Sequence, residues 1–299
     1  MNDLAMSVAG EFFSRLDIEM KKEIGKDDPG KYRHMSFVCE RYMVYTKFEA
    51  FKGANSLRTL LALSFGMINS WQTFYLSNEV LDNLLQELPL LRVLSLSNLS
   101  IREVPEFIGS LKHLRYLNLS QTRIKHLPDN VGNLYNLQTL IVYGCSYLKK
   151  LPESFSKLKN LRHFDMRDTR LLNKMPLGIG ELKSLRTLSR IIIEGDSSFS
   201  ITELKDLKDL QGKISFEGLD KVRNPTHAQE VNLSHRKLSE LEVEWSDEFD
   251  NSRKETVEQE VLNVMKPHND ILKSLELCHM EVHSFRVGLG IPHFIGWLK

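Results

Sequence analysis

Four prolines set the strongest constraint on what this chain can fold into. Pro105, Pro128, Pro152 and Pro176 recur at steps of 23, 24 and 24 residues. Each stands in a copy of one phrase. LRVLSLSNLSIREVPEFIGSLKH runs from Leu91 to His113, and LRYLNLSQTRIKHLPDNVGNLYN from Leu114 to Asn136. LQTLIVYGCSYLKKLPESFSKLKN and LRHFDMRDTRLLNKMPLGIGELKS carry it on to Ser184. Three residues after each proline comes Ile108, Val131, Phe155 or Ile179, and six after it Leu111, Leu134, Leu158 or Leu182. A copy of this size cannot bury its apolar face alone, so the copies must stack into one continuous core.

The LxxLxL head of each copy predicts a strand, because alternate side chains then share a face. Leu94/Leu96, Leu117/Leu119, Leu140/Val142 and Phe164/Met166 are the expected core pairs. The proline ends the strand, since it donates no ladder bond. The segments after it return as short turns or one-turn helices, with Gly109, Gly132 and Gly180 expected to permit a tight reversal. This wording is that of a leucine-rich repeat. The predicted fold is an α/β solenoid of about nine or ten repeats, a curved horseshoe with a parallel β-sheet on its concave face.

The flanks are less regular. Leu4, Val8, Phe12 and Leu16 recur every four residues, which predicts a short amphipathic N-terminal helix with an unpartnered face. A charged linker, Glu19 to Lys31, follows. Residues 1–32 are therefore read as a helical segment and linker, and residues 33–299 as the repeat domain, regular over 91–190. Met35 and Phe37, then Leu57, Leu60 and Ala62, predict two irregular repeats, and Leu81, Leu84, Leu85 and Leu88 a helix from Asn78. Beyond Leu188, helix-then-strand units end at Ile214/Phe216, Leu241/Val243 and Leu275/Leu277, with Ser246 to Glu260 read as a charged mobile loop. Pro292, Ile295 and Leu298 restore the back half of a repeat, and no polar cap follows. The expectation is a longer natural array, or a fragment.

Composition excludes several functions. Forty basic residues against 39 acidic give a net charge of +1, which argues for neither a nucleic-acid nor a membrane-surface role. Cys39, Cys145 and Cys278 are odd in number and far apart, so they suit a reducing compartment. The N-terminus carries Asp3 and Glu11 and makes a poor signal peptide. No run approaches the ~18 apolar residues of a membrane span. Cytosol or nucleus is the expected location. Gly25 to Lys31 fits the first seven positions of a P-loop, but Tyr32 replaces the hydroxyl residue, Asp27 and Asp28 repel phosphate, and Pro29 removes a donor. A solvated turn is the better reading. No metal-ligand spacing or nucleophile elbow is present, so neither an enzyme nor a cofactor is expected. Glu240, Glu242 and Glu244 alternate as a solvated strand face would, and Cys145 falls at a buried turn position.

What remains is a surface. Outward strand positions form files such as Val93, Tyr116, Thr139, His163 and Thr187, then Ser95, Asn118, Ile141, Asp165 and Ser189, then Ser97, Ser120, Tyr143 and Arg167. Tyr116, Asn118, Ile141, Tyr143, His163, Asp165 and Arg167 form the candidate protein-binding patch, because aromatic and Arg side chains anchor interfaces.

The wording resembles the repeat region of plant intracellular nucleotide-binding leucine-rich-repeat immune receptors of the coiled-coil class. The central repeats carry the likeness, and so do irregular segments in order. KYRHMSFVCERYMVYTKFEAFKGANSLRTLLAL resembles that family's linker and first repeats, and LKDLQGKISFEGLDKVRNPTHAQEVNL and LSELEVEWSDEF its middle section. MNDLAMSVAGEFFSRL resembles the helix that closes the family's nucleotide-binding module. The resemblance implies effector sensing and autoinhibition in defence. Its implied partners are a pathogen effector or guarded host protein, and an NB-ARC-type module in full-length relatives. The nucleotide-contacting motifs of that module are absent here, so no nucleotide site is carried over. A generic intracellular repeat scaffold, an extracellular repeat, and a non-functional or decoy fragment of a resistance gene are the alternatives. The irregular stretch Gln211 to Leu233 speaks against the first, and EVP, HLP, KLP and KMP in place of GxIP against the second.

Overall fold

A computed structural model describes residues 13–16, 29–39, 48–64, 74–194, 199–245, 255–265, 274–279 and 284–288. The chain divides into two compact units, Met1–Asn173 and Lys174–Lys299.

The first unit carries β1 (Phe13–Leu16), β2 (His34–Val38), β3 (Thr59–Leu63), β4 (Val93–Ser95), β5 (Tyr116–Asn118), β6 (Thr139–Ile141) and β7 (His163–Asp165). Each pairs in parallel with the next, one strand per coil. The register places Leu60, Leu94, Leu117, Leu140 and Phe164 in one file. All five are buried, as are Leu96, Leu119, Val142 and Met166 behind them. Each such side chain contributes about 1.5–3 kcal/mol when fully withdrawn from water. The Phe155 and Phe164 rings meet with centroids 4.9 Å apart.

The return segments are 3-10 turns, Glu106–Ser110, Asp129–Asn133 and Glu153–Lys157. Each begins directly after its proline, whose carbonyl accepts from the N–H of Ile108, Val131 or Phe155 at 3.0 Å. Proline suits this place because the first turn needs no N–H from it. The helix expected from Asn78 is α1 (Asn78–Gln86), capped by the Ser77 hydroxyl, which accepts from Val80 N–H at 3.3 Å. Its Leu81, Leu84 and Leu85 are buried.

The glycines act differently from expectation. Gly109 and Gly132 do not sit in the left-handed region. A Cβ on Gly109 would lie 2.5 Å from the Asn130 carbonyl oxygen, and one on Gly132 2.6 Å from that of Ser154. They are needed because consecutive coils touch there, not because the backbone reverses. Left-handed residues recur instead just after β4 to β7, at Asn98, Gln121, Gly144 and Asp168, with φ of 64°, 59°, 68° and 56°. This recurrent turn ends each of those four strands. Asn and Asp tolerate it, and Gly adopts it freely. Just beyond it, buried hydroxyls close the turn: Thr122 donates to the Leu119 carbonyl at 2.8 Å and Thr169 to that of Met166 at 2.6 Å.

At the N-terminus, Phe13–Leu16 is a strand paired with β2, where the spacing of apolar residues predicts the end of a helix. A step of four fits both periods, since it is even for a strand and close to 3.6 for a helix. The ladder offered by β2 decides between them. Residues 1–12 of that expected helix lie outside the described residues.

The second unit holds β8 (Thr187–Leu188) and a sheet of β9 (Arg190–Ile192), β10 (Gln211–Glu217), β11 (Lys237–Trp245), β12 (Ser274–His279) and β13 (Ser284–Gly288). β9 to β12 run parallel, and β13 is antiparallel to β12. The strands expected at Ile214, Leu241 and Leu275 are those observed. The helix α2 (Pro225–Val231) packs on the 3-10 segment Ile201–Asp206 and on α3 (Glu255–Val264). The charged stretch read as a loop to Glu260 is helical from Glu255, because Val261 and Met265 give it an apolar side to bury. Residues 246–254 and the repeat half expected at 292–298 lie outside the described residues. Gly180 repeats the contact role seen above, its Cβ position meeting the Glu203 carbonyl.

Arg236 holds this back layer together. It is 4% exposed and has no carboxylate partner among the described residues. Its guanidinium donates to the Val231 carbonyl at 2.8 Å, to that of Leu204 at 2.7 Å, and to that of Leu207. These are carbonyls at the ends of α2 and of the 3-10 segment, where the negative end of the local dipole lies; those of Leu204 and Leu207 also accept from the N–H of Leu207 and Leu210. Burial pulls the guanidinium down to about 10, so it stays charged at neutral pH.

Two outcomes follow from this packing. Gly132→Ala pushes a methyl against a backbone oxygen and should destabilise the chain by about 1–3 kcal/mol. Ser156→Ala, one coil later at a position that already carries a Cβ, should stay within about 0.5 kcal/mol. Urea denaturation checks the pair, and equal midpoints would remove the contact argument. Arg236→Met should cost about 3 kcal/mol by removing charge-assisted hydrogen bonds to three carbonyls at the back of the unit. Arg236→Lys should recover little of that loss, since an ammonium lacks the fork that reaches three carbonyls at once.

Candidate protein-recognition face

All seven candidate residues lie in the first unit, on or directly after β5, β6 and β7. Parallel pairing aligns Tyr116 with Thr139 and His163, and Asn118 with Ile141 and Asp165. Beyond the strands, the ladder continues. Gln121 N–H donates to the Tyr143 carbonyl at 2.7 Å, and Gly144 N–H to that of Arg167 at 2.9 Å. Tyr143 and Arg167 each precede a left-handed residue, so the turn that ends the strand fixes where they stand.

The structure gathers three of the seven into one group. The Asp165 carboxylate accepts from Arg167 Nε at 2.9 Å and Nη2 at 2.6 Å, a two-pronged pair, and from the Arg167 backbone N–H at 3.2 Å. The Arg167 Cζ stands 5.4 Å from the centre of the Tyr143 ring. Hydrogen bonding to Asp165 holds the Arg167 pKa above its usual range. The side chain of Arg167 is still 55% exposed, while that of Asp165 is 24% exposed. The guanidinium is therefore presented to solvent in a fixed plane, stacked on one side and clamped on another.

A second group forms at Asn118. Its Oδ1 accepts from Ser120 N–H at 2.9 Å and from the Ser120 hydroxyl. Burial raises the pKa of the Tyr116 phenol, with Asn118 opposing that shift. Ile141 lies between the two groups, in register with both Asn118 and Asp165. His163 is not brought to Tyr116. Thr139 separates them, which puts them two strands or roughly 9.6 Å apart. Ser120 is the contributor that side-chain type alone does not mark, since a lone Ser carries no signal until its neighbour's register is known.

The other chemical candidates resolve as structural groups. Cys145 is buried, donates to the Leu119 carbonyl at 3.0 Å and sits 3.3 Å from the Thr122 hydroxyl. Burial raises its thiol pKa, so it is a weak nucleophile. Glu240, Glu242 and Glu244 are half-buried on β11, and Glu242 pairs with Lys213 at 3.1 Å. No cluster of metal-ligating side chains occurs among the described residues. Of the P-loop look-alike, Pro29–Lys31 is a 3-10 turn leading into β2, and residues 25–28 lie outside the described residues. No described helix is long and apolar enough to cross a membrane.

Comparison with known proteins agrees with this architecture. A family model described as a leucine-rich repeat region matches residues 68–284. A disease resistance RPP13-like protein of Arabidopsis thaliana is 38% identical over 91% of this chain and 26% of its own length. Disease resistance protein RGA2 of Solanum bulbocastanum is 48% identical over 69% of this chain and 20% of its own. The chain thus spans about a quarter or less of the curated relatives it matches. Among solved structures, an internalin of Listeria monocytogenes superposes with a TM-score of 0.55 at 16% identity, covering 83% of this chain and 61% of that one. At that identity the likeness speaks for the fold alone. With the strand-per-coil sheet, the post-proline 3-10 turns and this match over most of its length, the chain belongs to the leucine-rich repeat region family as it occurs in plant disease resistance proteins.

Proposed function

We propose that the open strand face of the first unit is a protein-recognition surface, serving effector sensing and autoinhibition in a plant intracellular immune receptor. The observation that carries this reading is the clamp at Arg167. A surface with no specific partner gains nothing from ordering an exposed arginine, since isolated surface ion pairs add only about 0–1 kcal/mol. A surface that binds gains by ordering it beforehand, because less freedom is lost on association. Tyr143 and Tyr116 supply large rigid contact areas on either side of Ile141, and Arg167 a directional donor between solvent and ring. The disease resistance relatives support the defence setting. A pathogen effector or guarded host protein is the sensed partner in this reading, and a nucleotide-binding module the restrained one. Both place the protein in the cytoplasm or nucleus.

Replacing Tyr116, Tyr143 and Arg167 together by Ala should lower partner capture in plant tissue by about tenfold or more. Quantitative proximity labelling, with the wild-type chain alongside, reads that loss. Asp165→Asn keeps the shape but weakens the clamp, and should cost a smaller factor of about three. Retention of every partner by the triple variant would show that this face is not the recognition surface.

A further inference from the structure

The open face of the first unit is electrically quiet. From β4 to β7 its three files hold one carboxylate, Asp165, and one guanidinium, Arg167. The rest are hydroxyl, amide, aliphatic and aromatic side chains, with one imidazole at His163. The other charged residues of these coils stand at strand entry, between strand and proline, or in the return segments. Strands about 4.8 Å apart and alternate residues about 6.6 Å apart make this face roughly 14 Å by 13 Å, the footprint of one short segment.

Polar groups on this face are already paired within their own coils. The Ser95 and Ser97 hydroxyls lie 3.3 Å apart, Ser120 N–H donates to Asn118 Oδ1 at 2.9 Å, and Asp165 accepts from Arg167 Nε and Nη2. Each pair joins residues two apart. The Arg167 charge is thus offset by the carboxylate that clamps it. Asp165 holds the Arg167 pKa up, through its hydrogen bond first, and the exposed Asp168 adds to the same effect. What the clamp leaves open is Arg167 Nη1, which makes no hydrogen bond among the described residues, on a side chain that is 55% exposed. The face therefore offers a partner a neutral surface with one outstanding donor.

Building on its reading as a recognition surface, we propose that this face takes an uncharged polypeptide segment of the partner, with a carbonyl oxygen of that segment accepting from Arg167 Nη1. An acidic side chain buried here would meet a guanidinium already neutralised, with two carboxylates beside it. A basic side chain would have to compete with Arg167 for Asp165. Either ion gives up its water without gaining a counter-charge of its own, and burial of an uncompensated charge is disfavoured. A cation paired with Asp168 stays at the exposed rim, where ion pairs add little. A carbonyl has no net charge to desolvate and still gains a charge-assisted bond. Tyr116, Ile141 and Tyr143 suit the apolar side chains of such a segment.

The test is selection from a phage-displayed library of random heptapeptides on the immobilised full chain. Peptides that bind wild type but not the variant with Tyr116→Ala, Tyr143→Ala and Arg167→Ala define the patch-dependent pool. Circular dichroism establishes that this variant is folded. Should it fail to fold, Arg167→Gln, which keeps the length of the side chain, defines the pool instead. The pool should be depleted of Asp, Glu, Lys and Arg about threefold or more against the library. Its affinities should change by less than about twofold between about 0.05 M and 0.5 M salt. Asp165→Asn uncovers the guanidinium charge, so selection on that variant should yield acidic peptides whose binding weakens about tenfold over the same salt range. A wild-type pool rich in acidic or in basic residues, or an Asp165→Asn pool of unchanged composition, overturns the proposal and leaves the face a recognition surface. An empty wild-type pool overturns the reading of the face itself, and this proposal with it.

Discussion

Parallel pairing gives every strand in the first unit its hydrogen-bonded partners only on neighbouring coils. That single fact fixes the coil-to-coil distance at strand spacing, about 4.8 Å. Everything else on a coil must then close to the same distance. On the core side, leucines interdigitate and are fully buried. On the return side there is room for no side chain at Gly109 and Gly132, which meet the Asn130 and Ser154 carbonyls of the next coil. Asparagines bridge the remaining gap: Asn136 donates to the Lys112 carbonyl at 2.8 Å and Asn160 to that of Tyr135 at 2.7 Å. A coil is therefore held at three places, by ladder, core and back, and none of these works without a neighbour.

The same spacing makes the surface one-dimensional. Each coil adds one residue to each file, so a file is a row of independent choices at fixed intervals. Most choices at the open face carry no structural demand, because the ladder uses backbone groups and the core uses the other parity. This is why Tyr116, Thr139 and His163 can differ completely in chemistry while their backbones superpose in register. Order on that face then has to be built from side chains. Asp165 does this for Arg167, and Asn118 for Ser120.

The parts legible in the sequence were those that repeat. Leu94, Leu117, Leu140 and Phe164 are recognisable as core because alternation and period agree. What a single position contributes was harder to read. Leu4 to Leu16 fits a helix and a strand equally, and only the presence of β2 beside Phe13–Leu16 selects the strand. Gly132 invites a conformational explanation, but its reason is Ser154, a residue 22 positions away that sequence does not place beside it. Arg236, inside SHRKLSE, has the look of a surface charge until α2 and the 3-10 segment turn their carbonyls toward it. Of the candidate patch, the files were readable from register, while the clamp on Arg167 was not, because it depends on the rotamers of Asp165 at the end of β7 and of Arg167 just beyond it.

The change of period from 23 to 24 residues shows where the fold can absorb variation. Thr122 and Ile124 are two residues apart, whereas Cys145 and Leu148, and Thr169 and Leu172, are three apart. All six are buried, so the core positions are unchanged by the extra residue. It is extruded instead as Tyr147 and Leu171, which are 50% and 48% exposed. Neither the ladder nor the post-proline turn could take an insertion, since a slip of one would turn every leucine of a strand outward or break the glycine contact. The segment between strand and proline is bound by neither constraint. Length can vary there and residue type on the open face, while the files themselves stay in register; a fold under both constraints can change what it recognises without changing how it stands.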